Sequence, residues 1–318
     1  MTMDFALPDT TEDFRRELAR WTDRRPVRPG FDRQEWEQFA ERGLLRTQEG
    51  ETVLDTVVGF MEVARKGLPG PLFEARLAES AAGPGLSSEL EKGSVVTGCV
   101  ERAGAGPVPV GWGAVADVVV DLAGGGELGR GGLPHLHTSY LHPHGWWTGA
   151  RPAALPTPEQ RALRWTLGGA LLTGLALGAV DLTRDYVAQR VQFGRAIGTF
   201  QAVQFPLAEA KVSAEGLRLM VLDAAWRITG ERPDATVAAA LLAVNAARLT
   251  KQVGDICHHA FGANGHTNEA FLNELTWGMR WLRGLLGVDA ARAAILERRV
   301  THSSPPSLVL AGFRHEDV

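Results

Sequence analysis

Between residues 190 and 201 a cation, an aromatic, a glycine and a glutamine fall within one short stretch: Arg190-Val-Gln-Phe193-Gly194-Arg-Ala-Ile197-Gly-Thr-Phe200-Gln201. A guanidinium beside a tight backbone turn suits a phosphate or pyrophosphate, because its fork offers paired donors and a fixed charge. The plain alternative is that Arg190 only ends a helix, where a cation favours the dipole. A second glycine-punctuated stretch follows at His259-Ala-Phe-Gly262-Ala263-Asn-Gly265. His258, His259 and His266 raise the question of a metal, but no carboxylate or cysteine completes a ligand set, so none is assigned.

Two further patterns carry less. His135-Leu-His137 and His142-Pro-His144 have an alternating spacing that a hairpin could turn to one side. No acid lies near them, and again no metal is assigned. Gly124-Gly-Gly126-Glu-Leu-Gly129 matches a dinucleotide fingerprint, yet Arg130-Gly-Gly-Leu-Pro134 follows where a helix is required. A turn is the expectation there.

Helices must position these residues. Thr157-Pro158-Glu159-Gln160 reads as a helix start, with Thr as cap, Pro in the first turn and Gln closing a capping box, and the helix should run to about Gln189. Further helices are expected at about 200–229, 235–258 and 268–283, giving a four-helix bundle. Residues 1–92 read as an N-terminal helical domain, with helical spacing in Phe14–Trp21, Phe31–Leu45 and Thr52–Ala64 and another helix near 75–82. Residues 93–155 change character: Ser94–Val100 and Val115–Asp121 are short β-rich runs between Gly and Pro. The C-terminal bundle takes 156–318, and the fold class is α+β, mostly α.

The 318 residues are 45% apolar with a net charge of −4, so nothing invites nucleic acid. Two distant cysteines, Cys99 and Cys257, fit a reducing cytoplasm better than a disulfide framework. No secretory signal is expected. The uncharged run Trp165–Val180 is shorter than the roughly 20 apolar residues of a membrane span and is broken by four glycines. It reads as a helix buried in the bundle, and no membrane partner is expected.

Arg-x-x-Phe-Gly-x-x-Ile-x-x-Phe-Gln resembles the signature of the flavin-dependent acyl-CoA dehydrogenases. His259–Gly265 resembles that family's Gln-x-x-Gly-Gly-x-Gly element, with histidine for glutamine and Ala263 for the second glycine. Gln34–Leu45 resembles its early helix, and Glu101-Arg-Ala-Gly-Ala-Gly106 its Thr-Glu-Pro-x-Ala-Gly-Ser turn. The resemblance implies that Arg190, Phe193 and Gln201, with His259, Gly262 and Ala263, meet the ADP side of an FAD shared at a subunit interface. It also implies an acyl-CoA substrate and an electron-transfer flavoprotein or similar acceptor. A methyl at 263 is tolerable if its φ is negative or the flavin sits slightly further away.

Two departures decide the reading. The β-region looks cut down, with no counterpart to the Trp-Ile-Thr segment that lies beside the flavin ring in relatives. The family's two positions for the catalytic glutamate fall on Leu286 and Arg164, neither of which can take a proton from an acyl α-carbon. Glu159, Glu269 and Glu274 stand elsewhere, so no catalytic residue is assigned to this chain. The resemblance is therefore to the short, degenerate subunit of α2β2 acyl-CoA dehydrogenases of actinobacterial steroid side-chain degradation. A full-length partner subunit would supply the glutamate, and a steroid side-chain CoA thioester is the substrate implied. A self-sufficient homomeric dehydrogenase with a displaced base, or a flavin-free scaffold, are the alternatives.

Overall fold

The computed structural model describes residues 6–25, 30–45, 52–68, 70–81, 84–100, 107–122, 126–134, 143–149, 156–267 and 269–301. In chain order the helices are α1 (Asp9–Asp23), α2 (Arg33–Glu41), α3 (Val53–Arg65), α4 (Leu72–Ala81), α5 (Pro84–Glu91), α6 (Pro158–Gln189), α7 (Gln201–Thr229), α8 (Ala235–Phe261), α9 (Leu272–Leu285) and α10 (Val288–Thr301). The fold is mostly helical, as the sequence implies.

Helix α6 starts at the expected cap. The Thr157 hydroxyl accepts from Gln160 N at 3.3 Å, and the Gln160 side chain accepts from Thr157 N at 2.9 Å. Packed against α3, α4, α7, α8 and α9, it is the axle of the molecule. It is also long and apolar enough to cross a membrane by length and composition, but 83% of its most apolar window is buried inside the protein. Its apolarity is that of a core helix. Three threonines on these buried faces are satisfied locally: Thr173, Thr183 and Thr250 each donate to the carbonyl four residues back, at 2.6–2.7 Å.

The crossing of α3 over α6 has no side-chain cushion. A methyl added at Gly178 would lie 2.1 Å from the Arg65 carbonyl oxygen, and one at Gly174 would lie 2.4 Å from that of Met61. Arg65 Nε then donates to Asp181 at 2.6 Å beside the same crossing. One apolar core runs without interruption from Leu18 in α1 through the bundle to Ala291 in α10.

The β-region is small. Strands β1 (Thr97–Val100), β2 (Val108–Val110), β3 (Val118–Asp121), β4 (Gly126–Arg130) and β5 (Gly145–Trp147) have three to five residues each. β1 pairs in parallel with β3, β3 antiparallel with β4, and β2 antiparallel with β5. The first strand begins at Thr97 rather than Ser94, because groups just before it are engaged elsewhere. Trp36 Nε1 donates to the Val95 carbonyl at 3.0 Å, and Val96 N donates to Asp117 at 2.8 Å. Residues 126–130 form a strand, so the glycine fingerprint indeed opens no helix.

Helices α5 and α10 are additions to the sequence reading, and α10 packs on α8 as a fifth helix beside the expected four. α5 is short and α10 is alanine- and arginine-rich, so neither shows a strong apolar stripe. The turn at Glu101–Gly106 and the histidines His135, His137 and His142 lie outside the described residues.

Gly178→Ala should cost about 1–3 kcal/mol by forcing α3 and α6 apart, as overpacking typically does. Gly216→Ala, in an exposed part of α7 with nothing within 4 Å, should instead gain about 0.5–1 kcal/mol. Thermal unfolding midpoints of the two variants, shifting in opposite directions from wild type, check this.

Candidate functional site

Arg190 closes α6 in an extended conformation, its N–H donating to the Tyr186 carbonyl at 2.9 Å. The next residues form a minimal hairpin: β6 (Val191–Gln192) pairs antiparallel with β7 (Arg195–Ala196). Its two turn residues, Phe193 and Gly194, have φ of 53° and 79°, the double left-handed setting of a type I′ turn. Glycine takes that conformation freely, whereas a bulky phenylalanine is strained in it. Phe193 is nonetheless 93% exposed, meeting only the edge of Phe200 at 6.2 Å. The Arg195 guanidinium lies 4.0 Å over the Phe200 ring, and Gln201 opens α7 at the surface with no side-chain cap ahead of it.

The second motif meets the first at the same end of the bundle. Tyr186, one turn before Arg190, stacks on Phe261 at 4.0 Å and 11°, and its hydroxyl accepts from Asn264 Nδ2 at 3.1 Å. α8 ends at Phe261, and Gly262 at φ 61° turns the chain into a short 3-10 segment. Ala263 is not among the residues with positive φ, which meets the condition its methyl group sets.

His259, Gly262 and Ala263 line a cleft of about 900 Å³ between the end of α8, the 262–266 turn and α9. Arg190, Phe193 and Gln201 stand outside it on the adjoining surface. The cleft is rich in basic side chains: Lys251, His258, His259, His266, Arg280 and Arg283 line it, against a single acid, Asp255. That acid is already paired with Lys251 at 2.5 Å.

His258 bonds Thr276 Oγ1 through Nε2 at 2.9 Å and stacks on His266 at 4.4 Å, while its Nδ1 is buried with no partner. Burial, then the neighbouring His266, hold its pKa below the usual imidazole range. Burial, then Arg280, likewise lower that of Arg283. Trp277 is 47% exposed at the rim, with Arg280 5.1 Å from its ring. Arrangements of this kind, cations crowded together beside an exposed aromatic, favour an anion with a flat ring attached. The sequence reading missed Trp277, Arg280 and Arg283. Their three-residue spacing on α9 was the available signal, but it reads equally as a solvated helix face.

The two family positions for the base adjoin each other. Arg164 Nε donates to the Leu285 carbonyl at 3.1 Å, and Trp165 Nε1 to that of Leu286 at 2.9 Å. Leu286 is fully buried. Glu159 is exposed in the first turn of α6, with its pKa lowered by backbone and Thr157 hydrogen bonds. Glu269 is exposed as well. Glu274 is half-buried and pushed up to about 7 by burial. Among the described residues no group of three His, Cys, Asp or Glu side chains could hold a metal.

Residues 163–301 match the acyl-CoA dehydrogenase C-terminal domain. Among curated relatives, probable acyl-CoA dehydrogenase FadE25 of Mycobacterium tuberculosis is 39% identical over 101 residues, which is 32% of this chain and 26% of that protein. Acyl-CoA dehydrogenase IpdE2 of the same organism is 30% identical over 230 residues, covering 61% of this chain and 66% of the relative. The chain thus spans about a quarter of the first relative and nearly two thirds of the second. In fold, a chain of the Mycobacterium tuberculosis ChsE4-ChsE5 complex superposes with a TM-score of 0.75 at 22% identity, covering 96% of this chain and 100% of that one. Butyryl-CoA dehydrogenase from Megasphaera elsdenii superposes with a TM-score of 0.74 at 18% identity, over 94% of this chain. The bundle is thus matched by sequence to the acyl-CoA dehydrogenase C-terminal domain, and the chain over nearly its whole length has the acyl-CoA dehydrogenase fold.

Proposed function

We propose that this chain is a subunit of a flavin-dependent acyl-CoA dehydrogenase and contributes to the ADP side of an FAD shared with a full-length partner subunit. The observation that carries the reading is the basic cleft, where Arg280 and Arg283 stand with His258, His259 and His266, while its one acid, Asp255, is paired with Lys251. A pyrophosphate would offset that crowding of basic groups. Arg190, Gln201 and His259 would hold the diphosphate side, with Phe193 and Trp277 as aromatic walls and Gly262 and Ala263 as the close backbone approach. When bound, FAD supplies the hydride acceptor for α,β-dehydrogenation of an acyl-CoA thioester.

The partner holds the flavin ring and brings the catalytic glutamate in this reading, because Leu286 and Arg164 occupy this chain's two family positions for it. An exposed apolar stripe supports docking of such a partner. Phe205, Val212 and Leu219 are exposed at seven-residue intervals on α7, and Val191 and Phe193 extend the surface onto the hairpin. The likeness to a chain from a complex named for two components, ChsE4 and ChsE5, supports a heteromer, with α2β2 the stoichiometry proposed. A steroid side-chain CoA thioester is the substrate we infer, with an electron-transfer flavoprotein or similar acceptor. The cytoplasm is the compartment.

Expressed alone, the chain should be colourless and poorly soluble. Co-expressed with its full-length partner, it should give a yellow complex with one flavin per heterodimer. A yellow, active protein from this chain alone would overturn the partner reading. Flavin absorbance after gel filtration, with and without the partner, is the measurement.

Arg190→Ala should cost about 2–5 kcal/mol of cofactor affinity if its charge pair is buried in the complex. The Arg190→Ala and Arg280→Ala complexes should each lose flavin on dialysis, and faster at high salt, while their unfolding midpoints in apo form stay at the wild-type value. Full retention of flavin in both would remove the pyrophosphate from this cleft.

A further inference from the structure

A second cavity, of about 260 Å³, lies where α4, the small sheet and the end of α9 meet. Phe73, Leu77, Val100 and Leu285 give it apolar walls, and Arg164 opens onto it beside the adjoining base positions. It also holds two polar groups that the cofactor reading does not use. One is the carboxyl of Glu74, on α4, only 5% exposed. The other is the indole N–H of Trp281, on α9, buried with no acceptor.

Glu74 and Trp281 converge on one spot. A methyl added at Gly111 would lie 2.4 Å from Glu74 Oε1 and 3.5 Å from Trp281 Nε1, so the two atoms are at most about 6 Å apart. Only glycine at 111 leaves that space open. The conservative reading is a buried glutamate neutralised by Arg164. Yet Arg164 spends its Nε and one terminal nitrogen on the Leu285 carbonyl and acts on Glu74 only through space. A buried carboxyl and a buried donor are each costly unless something between them uses both. Burial pushes the Glu74 carboxyl up to about 7, outweighing its own backbone N–H and Arg164, which both lower it. At that value it changes protonation near neutral pH.

We propose that Glu74 is the proton acceptor of this subunit's own cavity, taking the α-proton of an acyl thioester whose carbonyl oxygen accepts from the Trp281 N–H. It stands in for the carboxylates missing at 164 and 286. The α C–H bond breaks, its electron pair moves into the enolate, and the proton forms an O–H bond on the Glu74 carboxylate. The enolate oxygen takes the developing charge and keeps its hydrogen bond from the indole. Reversal returns a solvent-exchanged proton to carbon, so no oxidant is needed. The proposal rests on the acyl thioester part of the function proposed above, and on neither the flavin nor the partner's glutamate.

The test is deuterium incorporation at the α-carbon of butanoyl-CoA in heavy water, read by mass spectrometry. It uses the co-purified complex whose partner carries glutamine in place of its own glutamate. Exchange should rise with pH and level off above about 7. Besides Glu74, the charged or titratable side chains lining the cavity are Arg164 from α6 and the Cys99 thiol from β1. Glu74→Gln should lower exchange by about 100-fold or more, the usual worth of a general base, and Glu74→Asp should keep part of it.

Folding is checked by the unfolding midpoint. A carboxyl whose folded pKa is raised from 4.5 to about 7 stabilises below pH 4.5 and loses that contribution as pH rises through 7. Glu74→Gln should therefore gain on wild type between pH 5 and pH 8. If that variant does not fold, the pH profile of Glu74→Asp decides, and a profile identical to wild type overturns the proposal. Exchange within twofold of wild type in a folded Glu74→Gln complex overturns it too. A colourless complex that still exchanges would refute the cofactor reading and leave this one standing.

Discussion

The contact of α3 and α6, backbone against backbone at Gly174 and Gly178, fixes everything that matters at both ends of the molecule. α6 carries Arg164 and Trp165 near its start and Tyr186 and Arg190 at its finish, roughly 40 Å apart at the rise of an α-helix. Side chains can repack by rotamer changes, but two touching backbones cannot slide without losing the contact. The Arg65–Asp181 pair reinforces the crossing close to the hairpin end. One helix, held in depth by one crossing, therefore sets the position of both the hairpin and the small cavity.

Those two ends handle charge in opposite ways. The cleft beside α8 and α9 gathers basic groups, and burial, then the nearness of His266 and Arg280, lowers the pKa of His258 and Arg283. The cavity under α4 instead removes a single carboxyl from water and raises its pKa by burial. One site crowds basic groups and the other buries an acid, and a single helix spans the distance between them.

The sequence made α6 legible from Thr157-Pro158 to Arg190 because cap chemistry marks its start and the motif marks its end. The hairpin and the 259–263 turn were legible for the same reason: glycine and aromatic residues stand at spacings that a resemblance can anchor. Other residues gave no such sign. Trp277, Arg280 and Arg283 lie on a polar helix face, and nothing local says that α8 folds over to make a cleft of it. Glu74 sits in Leu72-Phe-Glu-Ala-Arg76, where alternating apolar and charged residues read as an ordinary helix surface. Only the sheet and α9, which arrive from far along the chain, bury it. The base positions could be counted to Leu286 and Arg164, but counting cannot find a carboxyl that reaches the same space from another helix.

Phe193 has a consequence beyond its own turn. Held in a strained conformation at the tip of a two-stranded finger, nine-tenths exposed, its ring is displayed rather than stored. Left uncovered, it is a hydrophobic flag beside the exposed apolar residues of α7, the kind of surface that holdase chaperones and proteases seize. Seating the ring under a neighbour would remove the flag.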